Sequence, residues 1–249
     1  MLSVNKDSEI LTDAMAAVFE PQKGLEMEQA PPKNQAFYTK HEGYQKFIQA
    51  MHDLKIAPGS TVTQTDLCEI LEMSVTPLRE CLVLLEEYGL VTVRPRAGVQ
   101  VVNPDVSFFR ENMQFRTLIE TNALSSFVEK ADMSFLEPLR RSHEDCLDRV
   151  STAKDPESIS KEVAALDRIL HVEIVEAMRN RSISAVHHRL LDNFNLSKLV
   201  HIQLTYRENT ADTIKEHLLL IDAAMNRDQT AAHDALRSHL RASTHRTFT

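Results

Sequence analysis

The stretch SVTPLRECLVLLEEYGLV, residues 74–91, has the marks of a helix with a defined start and stop. Ser74 is a good N-cap residue, and Pro77 falls in the first turn, where a missing N–H costs nothing. Leu78, Leu82 and Leu85 form the apolar stripe, and Gly89 stops the helix before a β-branched run. On this spacing Thr76 and Arg79 point outward from the first turn. What they point at depends on the flanking elements.

Upstream, a helical pattern runs from Tyr44 through Phe47, Ile48, Met51 and Leu54 and ends at the Pro-Gly turn IAPGS. TVTQTDLCEILEM then gives a second helix with Leu67, Ile70 and Leu71 inside, and the tight turn EMS leads into the third. Downstream, LVTVRPRAGVQVV reads as two short strands around a hairpin tip, Arg94 to Gly98. Helix, helix, tight turn, helix and two-stranded hairpin make the winged helix-turn-helix arrangement. There the helix after the tight turn enters the DNA major groove and its first-turn side chains reach bases or phosphates. Thr76 and Arg79 then face DNA, with Arg94, Arg96 and the backbone at Gly98 contacting it from the wing. The competing reading makes Arg79 a solvated helix residue and the hairpin a small structural sheet.

The chain has 249 residues, room for one large domain or two ordinary ones. Its five glycines all precede residue 99 and its last proline is Pro156, so the remainder reads as helices joined by short polar turns. This change of composition implies two domains: residues 41–103, and an all-helical bundle over 104–249, behind an N-terminal extension of residues 1–40. The expected fold is therefore mainly α, three helices plus a two-stranded wing followed by a helical bundle. No run approaches the roughly 18 apolar residues of a membrane span, and no signal-peptide pattern opens the chain. Cys68, Cys81 and Cys146 lack paired or metal-like spacing and read as buried thiols of a cytoplasmic protein. The net charge is −8, which does not by itself favour a nucleic-acid partner.

APGSTVTQTDLCEILEMSVTPLRECLVLLEEYGLVTVRPRAGVQV resembles the N-terminal domain of GntR-family bacterial transcription regulators, chiefly in Ser74, Pro77, Arg79, Glu80, Leu82, Leu85, Gly89, Leu90 and Gly98. The resemblance implies DNA contacts from Thr65, Ser74, Val75, Thr76, Pro77, Arg79, Arg94, Arg96 and Gly98. Two positions depart from the family pattern. Val75 stands where an arginine usually follows the serine, and Thr65 where a basic residue is common. Residues 41–103 hold five Lys/Arg against eight Asp/Glu, a net of −3, so few phosphate contacts and a shallow salt dependence are expected.

In the C-terminal half, FFRENMQFRTLIETNALSSFVEKA offers Phe115, Leu118, Ile119 and Leu124 for a core. It sets Arg116 and Glu120 one turn apart. They read either as a surface i,i+4 pair or as an arginine projecting into a cavity to hold an anion. Asp167 and His171, four apart in ALDRILHVEIVEAM, share a face with Ile174 and Met178. His217 precedes the apolar face of Leu220, Ile221 and Ala224, and His239 sits beside Leu236 and Leu240. One inward histidine is usually a hydrogen-bonded core residue. An Asp and three His on three helices without breakers point instead to a divalent metal, with one or two positions open on a five- or six-coordinate ion. His201, His233, His245 and His143, with polar neighbours, read as solvated; His187 and His188 are adjacent and cannot share a face.

The segment from about 108 to 245 looks like the all-helical FCD effector domain of FadR-like regulators. The pattern appears in order as Arg116/Glu120, Asp167/His171, Glu216-His217 and His239-Leu240. That resemblance implies Asp167, His171, His217 and His239 as ligands of zinc, or of nickel or another divalent ion. It implies a small carboxylate effector completing the coordination, Arg116 as its clamp, and a homodimer acting as an effector-controlled repressor on operator DNA. No catalytic residue and no membrane partner are expected. Two alternatives stand beside it: the same regulator with a metal-free effector cavity, and a metal-dependent hydrolase using the open coordination position.

Overall fold

In the computed structural model, residues 42–150, 156–201 and 210–246 are described; residues 1–40, read as an extension, lie outside them. Nine helices and three short strands occur among the described residues, in two compact units. One unit comprises residues 42–118 with 181–201, and the other residues 119–150, 156–180 and 210–246.

The first unit opens with α1 (Glu42–His52), β1 (Thr61–Val62), α2 (Gln64–Ile70) and α3 (Val75–Glu87). Thr63 caps α2 through a reciprocal pair with Asp66: the Asp66 N–H donates to Thr63 Oγ1 and the Thr63 N–H to Asp66 Oδ2, both at 3.1 Å. Ser74 is the N-cap of α3 but makes no side-chain cap bond, and its side chain is exposed. Leu78, Leu82 and Leu85 are buried as the stripe requires. Gly89, at φ +69, follows the helix end at Tyr88. Gly43 lets α1 approach α3, since a Cβ there would lie 2.8 Å from Cys81 Sγ.

The wing is β2 (Val91–Arg94) paired antiparallel with β3 (Gly98–Val101), joined through residues 95–97. The expected two-stranded hairpin is extended by β1 into a sheet of order β1-β3-β2, with Thr61 opposite Gln100. Two residues were too short a run to read as a strand. Gly98 is fixed by this addition. It sits at φ +105, and a Cβ there would meet the Val62 carbonyl oxygen at 2.8 Å. Leu54 corrects the reading of α1: it lies past the helix end at φ +56 and is 66% exposed.

α4 (Val106–Lys130) contributes its first half to this unit, with α7 (Arg181–His201). Leu196 of α7 is buried in one core with Tyr44, Phe47, Leu67, Leu78, Leu85 and Val99. Beside it Tyr44 donates a buried 2.9 Å hydrogen bond to Asp192, and the Arg189 guanidinium stacks 4.4 Å over the Tyr88 ring. This core is thus closed by a helix that begins 80 residues after the wing ends.

Phe115 and Leu118, expected in the core of α4, are 45% and 62% exposed. The buried stripe runs instead through Phe109, Met113, Arg116, Glu120, Ala123 and Phe127, so two charged side chains occupy the inner face. Arg116 and Glu120 are accordingly not a surface pair. Of the cysteines, Cys81 and Cys146 are buried and Cys68 half-buried, all as free thiols.

The second unit takes the rest of α4 with α5 (Met133–Val150), α6 (Pro156–Glu176), α8 (Thr210–Met225) and α9 (Gln229–Arg246). α8 packs against α5, α6 and α9. No described helix is long and apolar enough to cross a membrane. Removing the Tyr44 hydroxyl takes the donor from a buried carboxylate, so Tyr44→Phe is expected to lower the urea-unfolding free energy by about 1–3 kcal/mol.

Candidate metal centre and nucleic-acid interface

Asp167 and His171 share the inner face of α6, His217 comes from α8 and His239 from α9. One ligand-type atom from each lies within 4.8 Å of the others. Asp167 Oδ1 is 3.6 Å from His171 Nε2, 3.5 Å from His217 Nε2 and 3.9 Å from His239 Nε2. All three histidines are buried.

The far side of each ring decides which nitrogen carries the proton. His171 Nδ1 donates to Glu120 Oε2 at 2.7 Å, and His239 Nδ1 donates to Glu216 Oε2 at 2.9 Å. Glu216 is itself gripped by Arg246 through both carboxylate oxygens, at 2.7 and 2.8 Å. Burial alone would raise the Glu216 carboxyl, but hydrogen bonds from Arg246 and His239 outweigh it and hold it at about 2. His217 Nδ1 meets His143 Nε2 at 3.2 Å, and His143 Nδ1 meets the Leu139 carbonyl at 2.7 Å. A carbonyl only accepts, so His143 carries its proton on Nδ1 and accepts from His217 at Nε2.

Each of the three rings in its neutral form therefore turns an Nε2 lone pair inward, onto a carboxylate that also only accepts. His171 Nε2 and His239 Nε2 stand 3.1 Å apart, and His217 Nε2 makes no hydrogen bond among the described residues. Four converging acceptors repel one another unless a cation joins them. Metal–nitrogen and metal–oxygen bonds of roughly 2.0–2.1 Å put two ligand atoms between about 2.9 Å apart at a right angle and about 4.1 Å apart in line, and the separations of 3.1 to 3.9 Å fall within that span. The donor set fits a divalent ion, and the carboxylates behind His171 and His239 are partners of the kind a metal-bound imidazole takes.

Structure and sequence disagree on His143. Its RRSHED surroundings predict a solvated side chain, yet it is fully buried on α5. It continues the stripe Leu136, Leu139, His143, Cys146, and this spacing was the available signal. Arg246 carried no comparable signal in sequence. His187 is also buried, in the first unit; His233 is half-buried with its Nε2 3.1 Å from Ser125 Oγ; His245 is exposed; and the His201 side chain lies outside the described residues. Arg116 is buried in the first unit with its guanidinium 4.9 Å over the Phe194 ring.

On the winged helix, Ser74, Val75, Thr76 and Arg79 are exposed on the leading turn of α3, and Pro77 is half-buried. Thr65 is exposed in the first turn of α2, and Arg94 and Arg96 are exposed on the wing, Arg96 at φ +65 near its tip.

The family described as bacterial regulatory proteins, gntR family, matches residues 40–101, and the FCD domain matches residues 111–242. Over 199 residues the chain is 25% identical to an HTH-type transcriptional regulator in an unstable DNA locus of Streptomyces ambofaciens, covering 80% of each chain. It is 28% identical over 192 residues to the HTH-type transcriptional regulator BphR of Paraburkholderia xenovorans, covering 76% of this chain and 77% of that one. In structure it is similar to E. coli McbR/YncC, with a TM-score of 0.66 at 17% identity over 82% of this chain and 93% of that one. A GntR transcriptional regulator from Rhodococcus sp. RHA1 gives 0.64 at 18% identity, over 84% and 96%.

Burial, and then the mutual repulsion of neighbouring imidazoles, brings His143 and His217 down to about 4 from the usual 6.5. With metal stripped, the unfolded chain takes up these protons before the folded one does. The stability they support is therefore present above about pH 6.5 and lost as pH falls toward 4. Urea titrations of chelator-treated protein between pH 7 and 4.5 are expected to show this fall. His217→Gln is expected to flatten it.

Proposed function

The chain belongs to the gntR family of bacterial regulatory proteins and carries an FCD domain, so it is a DNA-binding transcription regulator; from that premise we propose an effector-controlled repressor with a divalent metal in its helical domain. The reading divides the chain at 41–103 for DNA and 104–249 for effector and self-association, and places its work in the cytoplasm. The observation that carries it is the convergence of three Nε2 lone pairs on Asp167, each imidazole held by its Nδ1.

Asp167, His171, His217 and His239 would hold the ion, and an N₃O set of this kind suits zinc first and nickel next. When bound, the ion offers a Lewis-acid position to which a small carboxylate can attach. Glu120 and Glu216 keep their histidines in the ligating tautomer, and Arg246 keeps Glu216 charged and in place. Arg116 is assigned to the effector's other anionic group on the sequence pattern alone.

The same tautomers count against a metal-free cavity for an acid: three Nε2 acceptors have no proton to offer a carboxylate. They count against a hydrolase as well, since Glu120 and Glu216, the carboxylates nearest in role to a general base, are committed to imidazole Nδ1 atoms. Metal analysis of the purified protein is expected to find about one zinc or nickel per chain, and His217→Ala to lose it. Metal-free protein that still binds an organic acid would favour the alternative.

For DNA, the leading turn of α3 would enter the major groove with Thr76 and Arg79 at bases or phosphates, and Arg94 and Arg96 would reach the backbone from the wing. One winged helix has a small footprint, so a homodimer reading two half-sites supplies affinity and palindromic register. Phe115 and Leu118, exposed three apart on α4, are the apolar surface we assign to self-association. Effector binding shifts operator affinity only as far as the effector prefers one DNA-binding state, and tenfold release needs about 1.4 kcal/mol.

The test is fluorescence anisotropy on duplex DNA from upstream of the protein's own gene, across a salt series. With Arg79 committed to a base and Arg94 and Arg96 as the phosphate contacts of each reading head, a dimer neutralises roughly four phosphates, for a slope of about −4 in log K against log salt. Preference over random duplex supports the regulator. Arg79→Ala is expected to cost about 1–3 kcal/mol of that preference, and Leu118→Glu to shift sedimentation toward monomer. Binding that never exceeds random duplex at any operator candidate would defeat the reading.

A further inference from the structure

Two of the three ligand histidines are backed by carboxylates, and the third is not. His217 is the exception: its Nδ1 lies 3.2 Å from Nε2 of His143, a fourth histidine outside the ligand set. The two rings meet nearly edge to face, with centroids 5.3 Å apart and planes at 69°. His143 is fully buried on α5, between Leu139 and Cys146 on that helix's inner stripe. Its other nitrogen, Nδ1, is 2.7 Å from the Leu139 carbonyl oxygen.

We propose that His143 is a positioning residue for the metal centre, fixing His217 in its Nδ1–H tautomer so that the Nε2 lone pair faces Asp167. The inference rests on the metal reading given above. The chain of assignment begins at an atom with no choice. The Leu139 carbonyl has no proton, so His143 places its proton on Nδ1 and leaves Nε2 as an acceptor. His217 must then donate from Nδ1, which leaves its Nε2 unprotonated, 3.5 Å from Asp167 Oδ1. A backbone carbonyl of α5 thus sets the protonation of a ligand on α8 through one intervening ring. Without His143, Nδ1 of His217 has no acceptor there, and the imidazole is free to carry its proton on Nε2, which places a hydrogen where the ion would bind. Partners of this kind typically account for 10–100-fold in metal affinity.

The test compares wild type, His143→Leu and His143→Gln. Zinc affinity is measured by competition with a chromophoric chelator, and the His217 tautomer is read by ¹H–¹⁵N side-chain NMR on metal-stripped protein. His143→Leu is expected to weaken zinc binding roughly 10–100-fold and to move His217 away from the Nδ1–H form. His143→Gln, whose amide oxygen can accept the same hydrogen bond, is expected to restore most of the affinity and the tautomer. Should His143→Leu not fold, His143→Asn, whose amide is one methylene shorter, takes its place. The inference is overturned if His143→Leu keeps both the affinity and the tautomer of wild type. It is equally overturned if His143→Gln falls as far as His143→Leu, since the effect is then one of packing. A wild-type chain that takes up no zinc overturns the metal reading, and this inference falls with it. A wild type that binds zinc beside an indifferent His143→Leu overturns this inference alone.

Discussion

The buried histidine cluster of the helical unit is organised around groups that can only accept hydrogen bonds. The Leu139 carbonyl and the Glu120 and Glu216 carboxylates take the Nδ1 protons, directly or through His143, and that commits three Nε2 lone pairs to one point. Asp167, also an acceptor, stands at that point. Burying three imidazoles and two supporting carboxylates is costly unless every proton and lone pair has a use. The packing of α8 against α5, α6 and α9 therefore makes physical sense as a cage whose inside is deliberately electron-rich. Arg246 braces it from outside, on the carboxylate that carries His239.

A second dependence runs through the DNA-reading unit. Its apolar core is closed by Leu196, and its first helix is bonded to Asp192, both on α7. Arg189 of the same helix lies over Tyr88, the residue that ends the recognition helix α3. The position of α3 is thus tied to a helix that the sequence assigns to the effector half. A winged helix that folded by itself would be indifferent to α7; this one shares a core with it.

The winged helix was legible because its signals agree with one another: cap, stripe, stop and hairpin all fall in register between residues 44 and 103. The third strand escaped because two residues show no alternation, and only Gly98, forced by the Val62 carbonyl, hinted at a close neighbour. The cluster of Asp167, His171, His217 and His239 was legible because histidines and an aspartate recur on otherwise apolar faces. The partners behind them were less so. Periodicity on α4 was assigned to the apolar Phe115 and Leu118 when the true inner stripe runs through Arg116 and Glu120, because a charged residue on a buried face looks like a solvated one until its partner is known. His143 failed for the same reason: its immediate neighbours are polar, and the stripe that buries it is spaced three and four residues away.

The reading surface has its own balance between affinity and selectivity. A net charge of −3 over residues 41–103 leaves little long-range attraction to a phosphate backbone. What the leading turn of α3 exposes instead is a hydroxyl at Ser74 left unused by the helix cap, the methyl groups of Val75 and Thr76, and one guanidinium at Arg79. Apolar methyls in a major groove gain most against thymine, whose C5-methyl is the one apolar group on a base edge there, and they gain nothing from phosphates. Lowering the sequence-independent contribution while keeping base contacts raises the ratio of specific to non-specific binding at the expense of absolute affinity. On the dimeric reading proposed above, the second half-site would count for more than it does in a strongly basic protein. In the effector-controlled dimer proposed above, control of the geometry would be correspondingly more decisive, since little residual charge attraction would remain once the two heads fell out of register.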